Sequence, residues 1–334
     1  MARYQKQRGI ALITILMILA IMVTIAATMT GRMTASLLRT EGLNYSEKVY
    51  WYGQATVDFS RMILDNDFSD SEIITLDQLW ATPDIVFPVD EGSITGNMVD
   101  YRSCFNINAI ALADTDDKRA IPISQFQMLL SVLDVEEYTA EIIAESTRDW
   151  LDNNQTVDVS QGAEDRYYES RNVAHLAANS LMVDISELRS VQGVTGEIYQ
   201  RISPFLCALP VSNQLININT VNIKQPQILF ALFPPELLIS IEELQTLLED
   251  RPISGWASVD EFLASDLLVD KLIPEEISSQ LSVSSDFFQL YGLAEIDERV
   301  MVLKLLFNIQ NKKSTAVRFQ YAGIEEMVGM EMFK

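Results

Sequence analysis

The chain has 334 residues and a formal net charge of −23 at pH 7. Because so acidic a surface repels phosphate backbones and attracts divalent cations, nucleic-acid binding is disfavoured and calcium binding is favoured. The two cysteines, Cys104 and Cys207, form no CxxC motif and are not accompanied by clustered histidines, which argues against a structural zinc site. In an oxidising compartment we expect them to form a disulfide, with two buried free thiols as the alternative.

The first residues predict one membrane-spanning helix whose amino terminus stays in the cytoplasm. Arg3, Lys6 and Arg8 carry positive charges that no acid offsets, which is typical of a cytoplasmic flank. Residues 10–31 contain no charged side chain, and at about 1.5 Å rise per residue they span a bilayer core of about 30 Å. A cleavable signal peptide ending near residues 26–28 is the alternative. The acidic remainder of the chain is then exported.

The helical pattern continues past the bilayer. Apolar residues recur at helical spacing from Met33 to Ile63, interrupted by Glu41. No proline accompanies Gly42 or Gly53 to force a break. We therefore expect one helix over 10–64.

The rest of the sequence predicts a sheet interrupted by helices. Residues 65–97 are rich in Asp, Ser, Pro and Gly and indicate loop with short elements, whereas residues 99–107 predict a strand. Residues 124–150 have a helical period, and further helical patterns follow up to residue 280. Strand character returns in β-branched and aromatic runs at 287–294, 300–309 and 315–321.

We predict an α+β fold in which the early strand joins the late ones. The expected parts are a removed leader (1–9), a transmembrane and stalk helix (10–64), the first part of a β domain (65–110), a helical insert (111–280) and carboxy-terminal strands (281–334). The insert has two hairpin-like halves, at about 111–205 and 215–280. Two independent domains in sequence are the alternative, but they would leave the strand at 99–107 alone, and a lone strand is not stable.

The junction Arg-Gly-Ile-Ala-Leu-Ile at residues 8–13 resembles the type IV prepilin family, in which a basic leader ends in glycine before an apolar helix. The resemblance implies that a prepilin peptidase cuts after Gly9 and methylates Ile10. Most members carry glutamate at the fifth mature position, where this chain has Thr14. That glutamate neutralises the terminal amine of a neighbouring subunit at membrane depth, where an unpaired charge is costly. Its absence suits a subunit at a fibre tip, and an ordinary substitution is the alternative.

Four further stretches resemble, in order and spacing, the K family of minor pseudopilins of the type II secretion system. They are Phe-Asn-Ile-Asn-Ala at 105–109, Arg-Asp-Trp-Leu-Asp at 148–152 with Gly-Ala-Glu-Asp-Arg-Tyr-Tyr at 162–168, Ser-Glu-Leu-Arg at 186–189 with Gly-Val-Thr at 193–195, and Leu-Ile-Asn-Ile-Asn-Thr at 215–220. The resemblance implies a pilin-like antiparallel sheet interrupted by a large all-helical insert, with calcium bound in the exported part.

The same resemblance implies partners and a location. The expected partners are the I, J and H minor pseudopilins, the major pseudopilin, the prepilin peptidase and the inner-membrane secretion platform. Exported cargo and the outer-membrane secretin are further expected contacts. The chain is expected to be a single-pass protein of the inner membrane, with its amino terminus in the cytoplasm and its acidic part in the periplasm.

The acidic stretch after residue 150 predicts a calcium site. Asp-x-Asn-x-Thr-x-Asp at 152–158 offers a side-chain oxygen at every second position, and hard cations prefer such ligands. We expect the ligands to be Asp149, Asp152, Asn154, Glu164 and Asp165. A solvated acidic loop is the alternative, and it is our interpretation of the second acidic cluster at 114–117.

Three rival functions fit the sequence less well. Residues 188–202 and 247–263 resemble helix-hairpin-helix modules, but their turns lack the lysine-bearing glycine loop that would contact phosphate. The surrounding charge is also negative, so no nucleic-acid partner is expected. The sequence has no HExxH or GxSxG motif, and His175 is interpreted as a helix-face histidine, so we expect no enzyme activity. A minor pilin of a type IV pilus or DNA-uptake fibre shares the leader, but the acidic loop, Thr14 and the insert favour secretion.

Overall fold

The structure is a computed structural model, and it describes residues 10–83, 85–89, 92–111, 120–157, 160–296 and 299–322. Its contacts divide the chain into two compact units, Met1–Ala55 and Thr56–Lys334. Gly9 and the acidic cluster at 114–117 lie outside the described residues.

Nine α-helices and nine β-strands are formed by the described residues. The helices are α1 (Ile10–Asp70), α2 (Ile121–Val132), α3 (Glu137–Leu151), α4 (Asp165–Glu169), α5 (Gly196–Ile202), α6 (Gln227–Leu232), α7 (Ile241–Glu249), α8 (Val259–Leu263) and α9 (Glu275–Ser278). The strands are β1 (Ile85–Val89), β2 (Gly92–Asp100), β3 (Phe105–Asn106), β4 (Leu206–Cys207), β5 (Ile216–Asn217), β6 (Leu281–Ser282), β7 (Phe287–Ile296), β8 (Arg299–Gln310) and β9 (Lys313–Ala322). Short 3-10 helices lie at Leu79–Ala81, Ile107–Ala111, Ile185–Ser190, Ser203–Phe205 and Pro235–Leu237.

Helix α1 is long enough and apolar enough to cross a membrane, and the apolar window that meets this test is not buried in protein. The hydroxyl of Thr14 donates to the carbonyl of Ala11 at 2.9 Å. This bond gives the hydroxyl an acceptor within the helix, and the side chain adds no charge. The helix ends at Asp70, beyond the predicted end at residue 64. It continues because Phe68 is still buried in the core that it forms with the sheet.

The second unit contains a five-stranded antiparallel sheet with the order β1-β2-β7-β8-β9. The last turns of α1 cover one face, where Leu64 and Phe68 share a buried core with Phe288, Leu303 and Leu305. Asp65 of α1 accepts hydrogen bonds from the Ser314 backbone and side chain, which attach the helix to the edge strand β9. The predicted α+β fold with a long amino-terminal helix and an antiparallel sheet is confirmed, including its three late strands.

The early part of the sheet differs from the prediction. β1 and most of β2 lie in the region interpreted as loop with short elements. The strand expected at 99–107 is interrupted by a turn: residues 99–100 belong to β2 and residues 105–106 form β3. β2 ends at Asp100 because its carboxylate accepts the Arg102 N–H at 2.7 Å and its carbonyl accepts the Ser103 N–H at 3.2 Å, which closes a turn. Residues such as Gly92 and Asn97 do not favour strand locally, but pairing along the whole of β2 with β7 holds them extended.

The residues between β2 and β7 form the helical insert, whose two halves share one local design. β3 pairs in parallel with β4 in the first half, and β5 pairs in parallel with β6 in the second. In the first half, Asn108 accepts the Met182 N–H and donates to its carbonyl. In the second half, Asn219 makes the same pair of bonds to Trp256. Each Asn-Ile-Asn stretch therefore ties distant segments of its own half together.

The helix predicted over 124–150 is two helices. α2 and α3 are separated by a turn at which Asp134 has a φ of 58° and the Val135 N–H donates to the Leu130 carbonyl. Glu136 then starts α3 by accepting the N–H groups of Tyr138 and Thr139. The hydrophobic period hides the break because both helices contribute to the same core.

Polar contacts hold the insert against the sheet. The Asp100 carboxylate accepts hydrogen bonds from the side chains of Asn217, Thr220 and Ser285. Lys304 of β8 pairs with Asp184 of the first half at 2.8 Å. Because all these groups are buried or partly buried, losing one partner would leave another unsatisfied.

Candidate metal centre

Three carboxylates converge where α3 ends and α4 begins. Asp149, Asp152 and Glu164 each offer an oxygen, and these oxygens lie within 4.8 Å of one another. Asp149 is 1% exposed and Glu164 is 4% exposed. Oxygens that bind one calcium ion at about 2.3–2.6 Å lie at most about 5 Å apart, so the spacing fits a shared ion. The set holds hard oxygen donors without a sulfur or nitrogen ligand among the described residues, which suits calcium rather than zinc.

Local structure brings these side chains together. Asp149 lies in the last turn of α3, and Asp152 follows the helix, where its carboxylate accepts the Asn154 N–H at 2.9 Å. The chain then returns, and Glu164 directly precedes α4. Burying two carboxylates side by side is costly, and a cation bound between them would offset that cost.

Gly162 permits the close approach of the returning chain. A Cβ atom at this position would lie 2.0 Å from Oδ2 of Asp149 and 2.9 Å from its Cγ. The backbone therefore occupies space beside the carboxylate that no other residue type could share without displacing it. Gly162 begins the Gly-Ala-Glu-Asp-Arg-Tyr-Tyr stretch, but its position just before Ala163 and Glu164 does not by itself predict the contact with Asp149.

Aromatic side chains form the wall beside the carboxylates. Trp150 and Tyr168 meet edge to face with ring centroids 5.2 Å apart, and His175 lies 5.1 Å from the Tyr168 ring. Burial, followed by the nearby charges of Asp149 and Glu164, raises the pKa of the Tyr168 hydroxyl well above its usual value. His175 lies in a segment that forms neither helix nor strand, so the helix-face interpretation is wrong. The apolar neighbours that suggested a helix, Val173 and Leu176, are exposed.

Asp165 lies outside the group of three carboxylates, and the side-chain oxygen of Asn154 makes a local hydrogen bond. The Asn154 side chain is exposed and accepts the Thr156 N–H at 2.7 Å. Asp165 uses its two oxygens to accept from the Gln155 amide and the Ala177 N–H, each at 2.9 Å. Asp165 therefore attaches the loop and the following segment to α4. Asp158 lies outside the described residues.

The two cysteines meet beside the first parallel strand pair of the insert. Cys104 and Cys207 form a disulfide with their Cα atoms 5.8 Å apart, and the described residues include no free cysteine. The bridge lies beside the parallel pair of β3 and β4, and it closes a loop of 103 residues. Most of the first half of the insert, including the three carboxylates, lies within this loop.

Comparisons with known proteins identify the family. Family models described as "Type II secretion system (T2SS), protein K" match residues 103–211 and 216–284, which together are the two halves of the insert. A type II secretion system protein K of Aeromonas hydrophila is 34% identical over 96% of this chain and 99% of its own length. The chain belongs to the type II secretion system protein K family. Its expected place among the K pseudopilins is therefore confirmed.

Other members of the protein K family agree with this assignment. The protein K of Pectobacterium carotovorum is 36% identical, over 95% of this chain and 97% of its own length. A chain in the crystal structure of the GspK-GspI-GspJ complex of the enterotoxigenic Escherichia coli type 2 secretion system superposes with a TM-score of 0.78. It is 33% identical, and the match covers 85% of the present chain and 99% of that chain.

Proposed function

We propose that this chain is the minor pseudopilin at the tip of the type II secretion pseudopilus. There it initiates fibre assembly with other minor pseudopilins of the I, J and H types and supports protein export across the outer membrane. The observation that supports this role is its similarity to a chain of the GspK-GspI-GspJ complex over nearly the whole of that chain. Its action is structural rather than catalytic: α1 packs on the matching helices of its partners and of the major pseudopilin. The secretion platform, cargo and the outer-membrane secretin are its further contacts.

In this role the chain spans the inner membrane once, with its amino terminus in the cytoplasm and the second unit in the periplasm. The basic residues before Gly9 favour this orientation. Thr14 supports the tip position, because a tip subunit has no subunit above it whose terminal amine would need a carboxylate.

A deletion strain tests the role. Loss of protein export with surface piliation intact supports the secretion tip, whereas loss of piliation with normal export would assign the chain to a pilus.

Replacing Gly9 by valine tests the processing step, with Gly31→Ala as the control because the Gly31 Cβ position is open. Mass spectrometry should find a methylated Ile10 terminus in the wild type and in the control, and an uncut leader in Gly9→Val. A processed and active Gly9→Val protein would refute this step.

We also propose that Asp149, Asp152 and Glu164 hold a calcium ion. Bound calcium would neutralise the buried carboxylates and join the end of α3 to the start of α4, which supports the fold rather than a reaction. A ligand that binds the folded state alone stabilises it by about 2.7 kcal/mol at a concentration of 100 Kd. Calcium should therefore raise the melting temperature of the full chain relative to a chelator.

A matched pair of variants tests the ligand set. Asp152→Asn removes a ligand carboxylate, and Asp165→Asn removes the same charge from a residue outside the three. The shift with calcium should shrink strongly in Asp152→Asn and persist in Asp165→Asn. No shift in the wild type at millimolar calcium, or equal shifts in the two variants, would contradict the site.

A further inference from the structure

A cleft of about 400 Å³ lies between the end of β2, the segment after α1 and the second half of the insert. Leu76 and Trp80 line it from the segment after α1, and Met98 lines it from β2. Ile223, which is 37% exposed, lines it from the insert. The volume is within the range of about 300–1,000 Å³ that small-ligand sites occupy, and most of the wall is apolar.

Two cations also line this cleft, although the protein carries a net charge of −23. They are Lys224, which is exposed, and Arg251, which is partly buried. Among the residues that the structure describes, no carboxylate lies within ion-pair distance of either side chain. Burial alone lowers the pKa of Arg251, which agrees with a guanidinium that has no counterion. In a chain with such an excess of acids, two cations in one cleft that form no ion pair with any described carboxylate indicate an anionic ligand.

Asp100 does not supply the missing negative charge. Among the described residues that line the cleft, Asp100 carries the acidic side chain, and this residue is 1% exposed. Its oxygens accept from the Arg102 N–H and from the side chains of Asn217, Thr220 and Ser285. Asp100 is held by these bonds, and the described contacts include no ion pair between it and Lys224 or Arg251, so it does not occupy the donors of either cation.

The groups that line the cleft are held in place before any ligand arrives. Nη1 of Arg251 donates to the Val221 carbonyl at 2.8 Å and to the Ile218 carbonyl at 3.3 Å, which leaves the rest of its fork free to donate. The indole of Trp80 donates to Gln78 at 3.0 Å, and its ring packs edge to face on Phe288 at 5.0 Å. Because the apolar wall and one cation are preorganised, a ligand that fits loses little free energy in ordering them.

We propose that this cleft binds the carboxyl terminus of an extended polypeptide, with the terminal carboxylate at Lys224 and Arg251 and an apolar side chain against Leu76, Trp80 and Ile223. A carboxylate matches the planar fork of Arg251, and the apolar wall needs a side chain next to that carboxylate. The strong negative charge of the protein repels anionic lipid surfaces, which favours a peptide over a membrane. The proposal does not depend on the position of the protein in the fibre.

The test uses the full chain in phosphatidylcholine nanodiscs and a fluorescein-labelled peptide, Ala-Leu-Phe-Leu, with either a free carboxylate or a terminal amide. Fluorescence polarisation should show the free acid binding at least tenfold more tightly than the amide, which corresponds to about 1.4 kcal/mol. Binding of the acid should weaken as salt rises, because exposed charges are screened.

Two variants locate the site. Lys224→Gln should weaken binding of the acid at least threefold while leaving binding of the amide unchanged. Lys312→Gln, which removes an exposed lysine on the β8–β9 turn, should change neither. Arg251→Lys keeps the charge but loses the fork, and should also weaken binding of the acid.

Three results would overturn the proposal. The acid and the amide could bind equally, Lys224→Gln could bind like the wild type, or inorganic phosphate at the peptide's own concentration could displace the peptide. The last result would show a general anion site rather than a site for a peptide terminus.

Discussion

Replacing Gly162 by alanine should destabilise the second unit and disturb the three-carboxylate site. The new Cβ would lie 2.0 Å from Oδ2 of Asp149 and 3.1 Å from Cγ1 of Val157, and both distances are below ordinary contact. Asp149 is buried in the last turn of α3, so it cannot move aside without disturbing its neighbours. Overpacking of this kind costs about 1–3 kcal/mol. For a unit of this size, that corresponds to a fall in melting temperature of roughly 2–12 °C.

The measurement is thermal unfolding of the full chain, first in chelator and then with calcium. The chelator experiment isolates the steric cost, and the calcium experiment shows whether the displaced Asp149 still contributes to binding. We expect the calcium-dependent rise in melting temperature to be lost in Gly162→Ala. The control is Gly196→Ala, because the Cβ position of Gly196 is open and this residue begins α5. It should be neutral or stabilising by up to about 1 kcal/mol. A Gly162→Ala protein that melts like the wild type in chelator would refute the close-approach argument.

Three further perturbations probe the contacts that hold the insert. Burial would raise the pKa of Asp184, but the charge and the hydrogen bond of Lys304 outweigh burial, so the pKa is lowered. The Asp184 carboxylate therefore stabilises the folded state fully above its unfolded pKa of about 3.9, and this stabilisation is lost as the pH falls through the folded pKa. Urea midpoints should therefore drop at acid pH in the wild type and less steeply in Asp184→Asn; identical slopes would contradict this. Reducing the bond between Cys104 and Cys207 opens a loop of 103 residues and should cost about 2–5 kcal/mol, checked by urea unfolding with and without reductant. Asp100→Ala removes an acceptor from three buried side-chain donors, of which the Ser285 hydroxyl is the most affected because Asn217 and Thr220 keep other acceptors, and it should cost about 1–3 kcal/mol in the same assay. An unchanged midpoint would show that water replaces the carboxylate.

The sequence was most informative where a segment's own residues decide its structure. The uncharged residues 10–31 predict a membrane-spanning helix without reference to any other part of the chain. The runs at 300–309 and 315–321 are strands in the structure because β-branched and aromatic side chains fit a half-buried pleated surface. The ordered motifs from Phe105 to Thr220 likewise led to the protein K family, which the comparisons bear out.

The sequence was least informative where a distant partner decides. β2 carries glycine, serine and asparagine that favour loops, and it is a strand because β7 pairs with it from nearly two hundred residues away along the chain. The break between α2 and α3 is hidden because both helices contribute to one core, so the hydrophobic period continues across it. The cleft with Lys224 and Arg251 is likewise assembled from three separated segments.

The acidic loop shows both sides of this division. Its residues, by type and spacing alone, identify oxygen ligands and the stretch of chain that carries them. Which carboxylates converge is a tertiary matter: Asp149, Asp152 and Glu164 meet where the backbone at Gly162 passes close to Asp149, while Asp165 accepts from the Ala177 N–H instead. Composition determines the chemistry that a loop can offer, but the direction of each side chain depends on backbone contacts made far from it in sequence.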